Sequence, residues 1–215
     1  MKLQIALDVT SIEKAVEIAE KVCGFCDILE AGTPLIKAEG LAVVKTLKTK
    51  FPDKEIFADM KTADAGELET RIAYEAGASY TSVLACSSDK TIQDSILSSK
   101  NTGIKVVFDL LGTLDKIKRT KELAGLGAEY IHVHCGLDEQ AMGKSPMADI
   151  LEINKNVNVK LTVAGGINRL NLDKYLEISN LEIIMIGQSI TGNENPAEEA
   201  RWFYDKISHQ ERQKI

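Results

Sequence analysis

Residues 104–133 read IKVVFDLLGTLDKIKRTKELAGLGAEYIHV, and this stretch contains the repeating unit of the whole chain. Two short apolar runs, Ile104–Phe108 and Tyr130–Val133, enclose a charged segment with helical spacing. Each run is too short for a helix and rich in Ile and Val, which predicts strands buried on both faces. Gly127 stands just before the second run, where a helix often ends on a left-handed residue. The stretch therefore predicts strand, helix and strand.

Comparable apolar runs recur at near-regular intervals along the chain, with amphipathic segments between them. The other six runs are Leu3–Leu7, Asp27–Leu29, Glu55–Ala58, Tyr80–Leu84, Val159–Val163 and Ile183–Ile186. Eight strands alternating with helices predict an α/β fold, a single (β/α)8 TIM barrel over residues 1–215. The main rival, a doubly wound open sheet, would have fewer strands and a G-x-G-x-x-G motif after the first. We expect the polar tail from about His209 to fray.

Local signals support the helical assignment of the connecting segments. Ile12–Val22 carries an apolar face at helical spacing, and Ser11 is placed to cap its N-terminus. Gly77 and Gly103, like Gly127, precede predicted strands and are expected in the left-handed conformation that ends a helix.

The composition excludes several functional classes. Of the 215 residues, 44% are hydrophobic and 27% are charged, as in ordinary globular proteins. Acidic residues outnumber basic ones by 32 to 26, which argues against a nucleic-acid partner. No apolar run approaches the ~20 residues that span a membrane, and no secretory signal is present at the N-terminus. We expect a cytoplasmic protein with no membrane association.

The four cysteines are scattered, which suits a reducing compartment. Cys23 and Cys26 form a C-x-x-C pair, but it follows a helical segment and precedes a strand, the reverse of a redox motif. No second pair completes a zinc site. We interpret both as reduced, partly buried thiols.

Ionisable residues and glycines cluster where the predicted strands end. In a barrel of this kind the active site lies at the C-terminal ends of the strands. Reading those ends in order gives Asp8, Glu30, Asp59, Lys61, Asp109, His134, Gly165, Gly166 and Gly187. Convergence of five acidic or basic residues and a histidine on one rim predicts a catalytic site there.

The sequence Asp59-Met60-Lys61-Thr62-Ala63-Asp64 is the strongest local signal. Side chains alternate along a strand, so Asp59 and Lys61 point to the same side. An ammonium held among carboxylates stays protonated and can stabilise an anion or pass a proton. A structural ion pair at the rim is the alternative.

Two further groups of residues suggest ligands. Glu30 and Asp59 end neighbouring strands and could face one Mg²⁺ ion, or they could be unrelated rim acids. His134 is a candidate base, although a lone histidine is often only packed in the core. His132, two residues earlier, is either a core residue or a supporting partner.

Glycines at the last two strands indicate a phosphorylated substrate. Gly165-Gly166 follows the seventh strand, and Gly187-Gln188 follows the eighth. Backbone N–H groups in such loops can close around a phosphate, and these two loops are the recurrent phosphate site of the barrel.

Three stretches together resemble the orotidine-monophosphate decarboxylase suprafamily. They are Leu3–Asp8, Glu30–Pro34 and Ala58–Glu67. The likeness extends from Leu3 to the region of Trp202, essentially the whole chain. It implies a Mg²⁺-dependent homodimeric enzyme that forms a cis-enediolate of a phosphosugar.

The resemblance also implies a role for individual positions. Glu30 and Asp59 match metal ligands, and Asp8 matches a substrate-binding acid. Lys61 lies near the enediolate. Asp64 is expected to reach into the partner subunit's active site.

Proton transfer and phosphate binding follow from the same resemblance. His134 matches the proton-transfer base. The backbone around Gly166, Gly187 and Gln188 matches the phosphate site, although Gln188 departs from the residues usual in the family.

Two branches of the suprafamily resemble the chain most. One condenses D-ribulose 5-phosphate with formaldehyde to D-arabino-hex-3-ulose 6-phosphate, and its sister decarboxylates 3-keto-L-gulonate 6-phosphate. Leu137 stands where the decarboxylase carries an arginine. Asp109 is typical of the branch that performs the aldol condensation with formaldehyde. The residues therefore favour the aldol reaction, with the decarboxylase and a non-catalytic phosphosugar-binding protein as alternatives.

Overall fold

A computed structural model describes the backbone of residues 1–213 and the side chains through residue 209. Eight parallel strands form a closed barrel in chain order, which confirms the predicted (β/α)8 fold. The strands are β1 (Lys2–Leu7), β2 (Ile28–Ala31), β3 (Glu55–Thr62), β4 (Tyr80–Leu84), β5 (Lys105–Asp109), β6 (Tyr130–His134), β7 (Lys160–Ala164) and β8 (Leu181–Ile186).

Helices connect the strands and cover the outside of the barrel. They are α1 (Ile12–Val22), α2 (Thr33–Glu39), α3 (Ala42–Lys50), α4 (Gly66–Glu75), α5 (Asp89–Thr102), α6 (Lys116–Leu126), α7 (Leu137–Ala141), α8 (Met147–Asn156), α9 (Leu172–Leu176), α10 (Gln188–Thr191) and α11 (Pro196–Gln213). A single 3-10 turn, Cys23–Phe25, follows α1. None of the helices in residues 1–213 is long and apolar enough to cross a membrane.

The predicted helix ends are found where the local chemistry requires them. The Ser11 side chain accepts a hydrogen bond from the Lys14 backbone N–H at 3.3 Å, so it caps α1. Gly77, Gly103 and Gly127 have φ angles of 96°, 85° and 98°, the left-handed conformation that glycine adopts without strain.

The last helix continues through Gln213, over most of the segment predicted to fray. Lys214 and Ile215 lie outside the described residues.

The barrel interior is divided into an apolar lower layer and a polar upper layer. Near the N-terminal ends of the strands six buried side chains pack together: Ile28, Phe57, Tyr80, Val107, Tyr130 and Ile183. Nearer the C-terminal ends a small apolar group of Ala6, Ala164 and Met185 lies beside many buried polar side chains. These polar side chains include Gln4, Glu30, Asp59, Ser82, Asp109, His132 and Thr162. Because buried polar groups are costly unless they are paired, this upper layer is where function is expected.

Candidate active site

Lys61 lies at the centre of the polar layer. Its Nζ atom is 3.0 Å from Oδ2 of Asp59 and 2.9 Å from Oδ2 of Asp109. Burial alone would lower the pKa of Lys61, but the two carboxylates outweigh it and raise the pKa above its usual value. Lys61 is therefore an ammonium at neutral pH, fixed in place by two anions.

The backbone of β3 is irregular where it carries this lysine. The strand extends to Thr62, four residues beyond the predicted run, and its register against β4 shifts between Ala58 and Thr62. Lys61 has φ of 47°, which a residue with a side chain rarely adopts, and its N–H donates to the Ser82 hydroxyl at 2.8 Å. A bulge of this kind re-aims a side chain and is common beside active sites.

Hydroxyl groups from two other elements hold Asp59. Ser82 of β4 donates to Oδ1 at 2.6 Å, and Thr33 of α2 donates to Oδ2 at 2.7 Å. Ser82 lies within β4 and not at its end, so the strand ends alone do not predict it as a functional residue. The alternation of side chains that places Ser82 on the inner face could have identified it.

Asp109 joins Lys61 to His134. It is 0% exposed, and its Oδ2 accepts hydrogen bonds from Lys61 Nζ at 2.9 Å and from His134 Nδ1 at 3.1 Å. Its Oδ1 accepts from the Leu111 backbone N–H at 2.8 Å. Burial would raise the pKa of Asp109, but the hydrogen bond from His134 and the nearby positive charge hold it well below its usual range. An ionised Asp109 therefore places the proton of a neutral His134 on Nδ1 and leaves Nε2 as the free base.

His132 lies beneath this pair and is 3% exposed. Its Nδ1 atom is 2.6 Å from the Thr162 hydroxyl, and its ring centre is 5.1 Å from that of His134. Burial lowers the pKa of His132 to about 4, so the ring is neutral at physiological pH. His132 is thus a buried residue of the polar layer, adjacent to the candidate base.

Glu30 and Asp8 form a second acidic group beside Asp59. Glu30 is 2% exposed and lies within β2, whereas the apolar run that ends at Leu29 predicts it on the rim. Gln4 donates to it at 2.8 Å. Burial and the charges of Asp59 and Asp8 raise the pKa of Glu30 well above its usual value. Desolvation and the charge of Asp59 also raise the pKa of Asp8.

Glycines allow the Asp8 carboxylate to approach the backbone. A Cβ atom at Gly32 would lie 2.1 Å from Oδ1 of Asp8, and one at Gly187 would lie 3.3 Å from Oδ2. A side chain at either position would push Asp8 away from the acidic group.

Two sets of residues could hold a metal ion. The candidate ligand atoms of Asp109, His132 and His134 all lie within 4.8 Å of one another. The Lys61 ammonium binds this Asp109 carboxylate as well as Asp59, so a cation at the histidine set would compete with Lys61 for Asp109. Glu30 differs, because among the described residues its one hydrogen-bond donor is neutral Gln4, and its acidic neighbours repel it more than Lys61 attracts it. The unfavourable burial of this carboxylate and the all-oxygen ligand set of Glu30 and Asp59 fit a hard divalent cation.

The loops after β7 and β8 present backbone donors. Gly165 and Gly166 have φ of 115° and 67°, and a Cβ atom at Gly165 would lie 2.4 Å from the Cys135 carbonyl oxygen. Within the described part of the chain, no backbone carbonyl accepts from the N–H groups of Gly166, Gly187 or Gln188. Such donors are available to an anion.

Two predicted positions are not brought into contact with this cluster. Asp64 is exposed and has no hydrogen-bond or ion-pair partner among the described residues. Leu137 begins α7 and is 72% exposed.

Comparison with known proteins identifies the family. The model of the orotidine 5'-phosphate decarboxylase / HUMPS family matches residues 1–203. The chain belongs to this family.

Relatives within the family share a more specific name. A 3-hexulose-6-phosphate synthase from Mycobacterium gastri is 42% identical over 201 residues, which cover 94% of this chain and 97% of the relative. The crystal structure of a 3-hexulose-6-phosphate synthase from Salmonella typhimurium superposes with a TM-score of 0.95 at 35% identity, covering 98% of this chain and 100% of that one. This member of the family is an enzyme of the lyase class, similar to 3-hexulose-6-phosphate synthase.

A structure of the sister enzyme is also similar to this chain. The 3-keto-L-gulonate-6-phosphate decarboxylase from Vibrio cholerae is 26% identical, with a TM-score of 0.86 and 97% coverage of both chains. Both branches suggested by the sequence are thus represented among the structural relatives.

Proposed function

We propose that the protein condenses D-ribulose 5-phosphate with formaldehyde to form D-arabino-hex-3-ulose 6-phosphate. The names of its relatives support this reaction. The observation that carries the mechanism is that one oxygen of Asp109 accepts hydrogen bonds from both Lys61 and His134. A fixed cation and an oriented base then lie beside each other, as enediolate chemistry requires.

A Mg²⁺ ion is the cofactor we propose, with Glu30 and Asp59 as its protein ligands. When bound, the ion would polarise the ketone of the sugar and acidify the proton on C1. Asp59 keeps its orientation toward the site through Thr33 and Ser82, which donate to separate oxygens. Such supporting hydrogen bonds orient a ligand before the metal arrives.

His134 moves the proton. Its Nε2 removes a proton from C1, and Lys61 stabilises the negative charge that develops on the enediolate oxygens. C1 then attacks the carbon of formaldehyde, a C–C bond forms, and the formaldehyde oxygen takes a proton from protonated His134. Ionised Asp109 stabilises that imidazolium while the proton is held.

The remaining candidate residues bind the substrate. Asp109 is fully buried, so we assign it to positioning Lys61 and His134 and not to direct contact with the substrate. Asp8 accepts hydrogen bonds from sugar hydroxyls. The phosphate binds the free N–H groups of Gly166, Gly187 and Gln188, and Gly165 keeps that loop close to β6.

Exchange of hydrogen at C1 tests the enediolate. In D₂O with Mg²⁺ and without formaldehyde, the wild-type protein should exchange the C1 proton of ribulose 5-phosphate, followed by NMR. His134→Asn should slow this exchange at least about 10²-fold, the usual contribution of a general base. Exchange at the wild-type rate in that variant would show that His134 is not the base.

Leu137 tests the choice between the two branches. Leu137→Arg brings a charge and proton donors to the start of α7, after the C-terminal end of β6, and its longer side chain can extend from there toward the site. We expect the ratio of kcat/KM values to shift toward decarboxylation of 3-keto-L-gulonate 6-phosphate by about tenfold, which is roughly 1.4 kcal/mol. Leu137→Met, which stays apolar, should leave the ratio unchanged. An unchanged ratio in the arginine variant would remove Leu137 from the explanation.

We also propose a homodimer in which Asp64 completes the partner subunit's site. Its exposure and lack of a partner among the described residues support this. Asp64→Asn and His134→Asn are each expected to be inactive, yet their hybrid dimer has one complete site. Random mixing should therefore restore about a quarter of wild-type activity, since half of the dimers are hybrids with one working site of two. Each variant refolded alone is the control, and a fully active monomer would contradict the proposal.

A further inference from the structure

The loop after β7 is held in shape by its own side chains. The Gly166 carbonyl oxygen accepts hydrogen bonds from Asn171 Nδ2 at 2.9 Å and Asn168 Nδ2 at 3.2 Å. The Asn168 N–H in turn donates to Asn171 Oδ1 at 2.8 Å. These bonds tie the Gly166 carbonyl to two side chains of the same loop, so the loop is linked internally as one unit.

Arg169 extends from this loop to the C-terminal helix. Its Nε and Nη2 atoms donate to the two carboxylate oxygens of Glu199 at 2.9 and 2.8 Å, a bidentate ion pair. The guanidinium carbon lies 4.8 Å from the ring centre of Trp202. The Glu199 side chain is 16% exposed and the Arg169 side chain 42%, so the pair is shielded mainly on the side of Glu199, and its bidentate geometry gives it direction.

The loop after β8 is attached to the same unit. The Ser189 hydroxyl donates to the Ile167 carbonyl oxygen at 2.7 Å. The short helix α10, which begins at Gln188, also packs against α11. Both loops that carry free N–H groups are therefore supported by α11.

We propose that Arg169 is a positioning residue for the phosphate of the substrate. Glu199 and Trp202 engage its guanidinium, so it acts by holding the loop of Gly166 against α11 in the geometry that binds a phosphate. The inference rests on the proposed phosphate site, and it adds α11 as a determinant of phosphate affinity.

Inorganic phosphate is the probe that tests the inference. We expect Arg169→Ala to raise the Kd for phosphate, measured by calorimetry, about tenfold, because small misplacements of a binding group are costly. The KM for ribulose 5-phosphate should rise by a similar factor, while kcat stays within about twofold. Glu199→Ala should have the same effect, and the double variant should be no worse than either single one.

Arg201→Ala is the matched control. Arg201 lies on α11, the helix that carries Glu199 and Trp202. Its Nε atom is 3.8 Å from Asp205 and its guanidinium carbon is 5.9 Å from the Phe25 ring centre, away from the phosphate loop. Its removal should leave the Kd for phosphate unchanged. A purely structural role of Arg169 would lower the Tm without moving that Kd.

The outcomes separate this inference from the proposed function. If Arg169→Ala and Arg201→Ala bind phosphate equally well, or if the wild-type protein binds no phosphate, the inference is wrong. If the wild-type protein binds phosphate and Arg169→Ala weakens that binding, but formaldehyde is not fixed, the inference stands and the proposed reaction fails.

Discussion

Replacing Lys61 with alanine is expected to lower kcat for formaldehyde fixation by about 10²–10³-fold, the usual cost of losing a donor to a developing oxyanion. The variant loses the fixed positive charge, and Asp59 and Asp109 are left without their shared cation. Activity is measured at saturating Mg²⁺ and ribulose 5-phosphate, so that a change in substrate binding does not enter kcat.

A second lysine provides the control for lost stability. Removing one partner of a buried ion pair lowers the free energy of unfolding by about 3–5 kcal/mol, so Lys61→Ala will also unfold more easily. Lys105 lies at the opposite end of the barrel, 3.4 Å from Glu55 and 4.6 Å from the Tyr80 ring centre. Lys105→Ala should reduce stability but preserve kcat. Retention of more than a tenth of the activity in Lys61→Ala would remove this residue from the mechanism.

Replacing Glu30 with glutamine should abolish Mg²⁺-dependent activity and yet stabilise the metal-free protein. The wild-type carboxylate is buried among like charges, whereas a glutamine is neutral and still accepts the hydrogen bond from Gln4. An increase of about 1 kcal/mol in the free energy of unfolding would raise the Tm by roughly 2–4 °C in a protein of this size. Activity is titrated against Mg²⁺, and the Tm is measured in the presence of a chelator.

The loss of stability caused by the buried Glu30 carboxylate should increase with pH. Folding raises the pKa of Glu30, so the folded protein retains a proton that the unfolded chain releases. The stability of the metal-free wild-type protein should therefore fall as the pH rises from about 4.5 through the raised pKa of Glu30. Glu30→Gln should lessen this decline, with Asp8 contributing what remains. Equal Tm values for the two proteins at pH 8 would show that ionising the buried Glu30 costs the fold no stability.

Much of the fold could be predicted because it depends on local patterns. The boundaries of α1 and β4 agree with the apolar spacing, and Gly103 and Gly127 end helices as their backbone freedom suggests. The extension of β3 was missed, because polar residues after Ala58 interrupt the apolar run while a bulge keeps them in the strand.

The site could be predicted as a set of residues but not as a network. Strand order brings Lys61 and Asp109 together across 48 positions, and their distance depends on the bulge in β3. The burial of Glu30 also depends on packing within the closed barrel. The contact between Arg169 and Trp202 joins two segments that no local pattern relates.

Assay of the purified protein with both substrates tests the central claim most directly. With Mg²⁺ present, consumption of ribulose 5-phosphate and formaldehyde is compared with release of CO₂ from 3-keto-L-gulonate 6-phosphate. We predict a kcat/KM for formaldehyde fixation at least about tenfold higher, corresponding to roughly 1.4 kcal/mol in favour of the aldol transition state. Faster decarboxylation than fixation would contradict the proposed function.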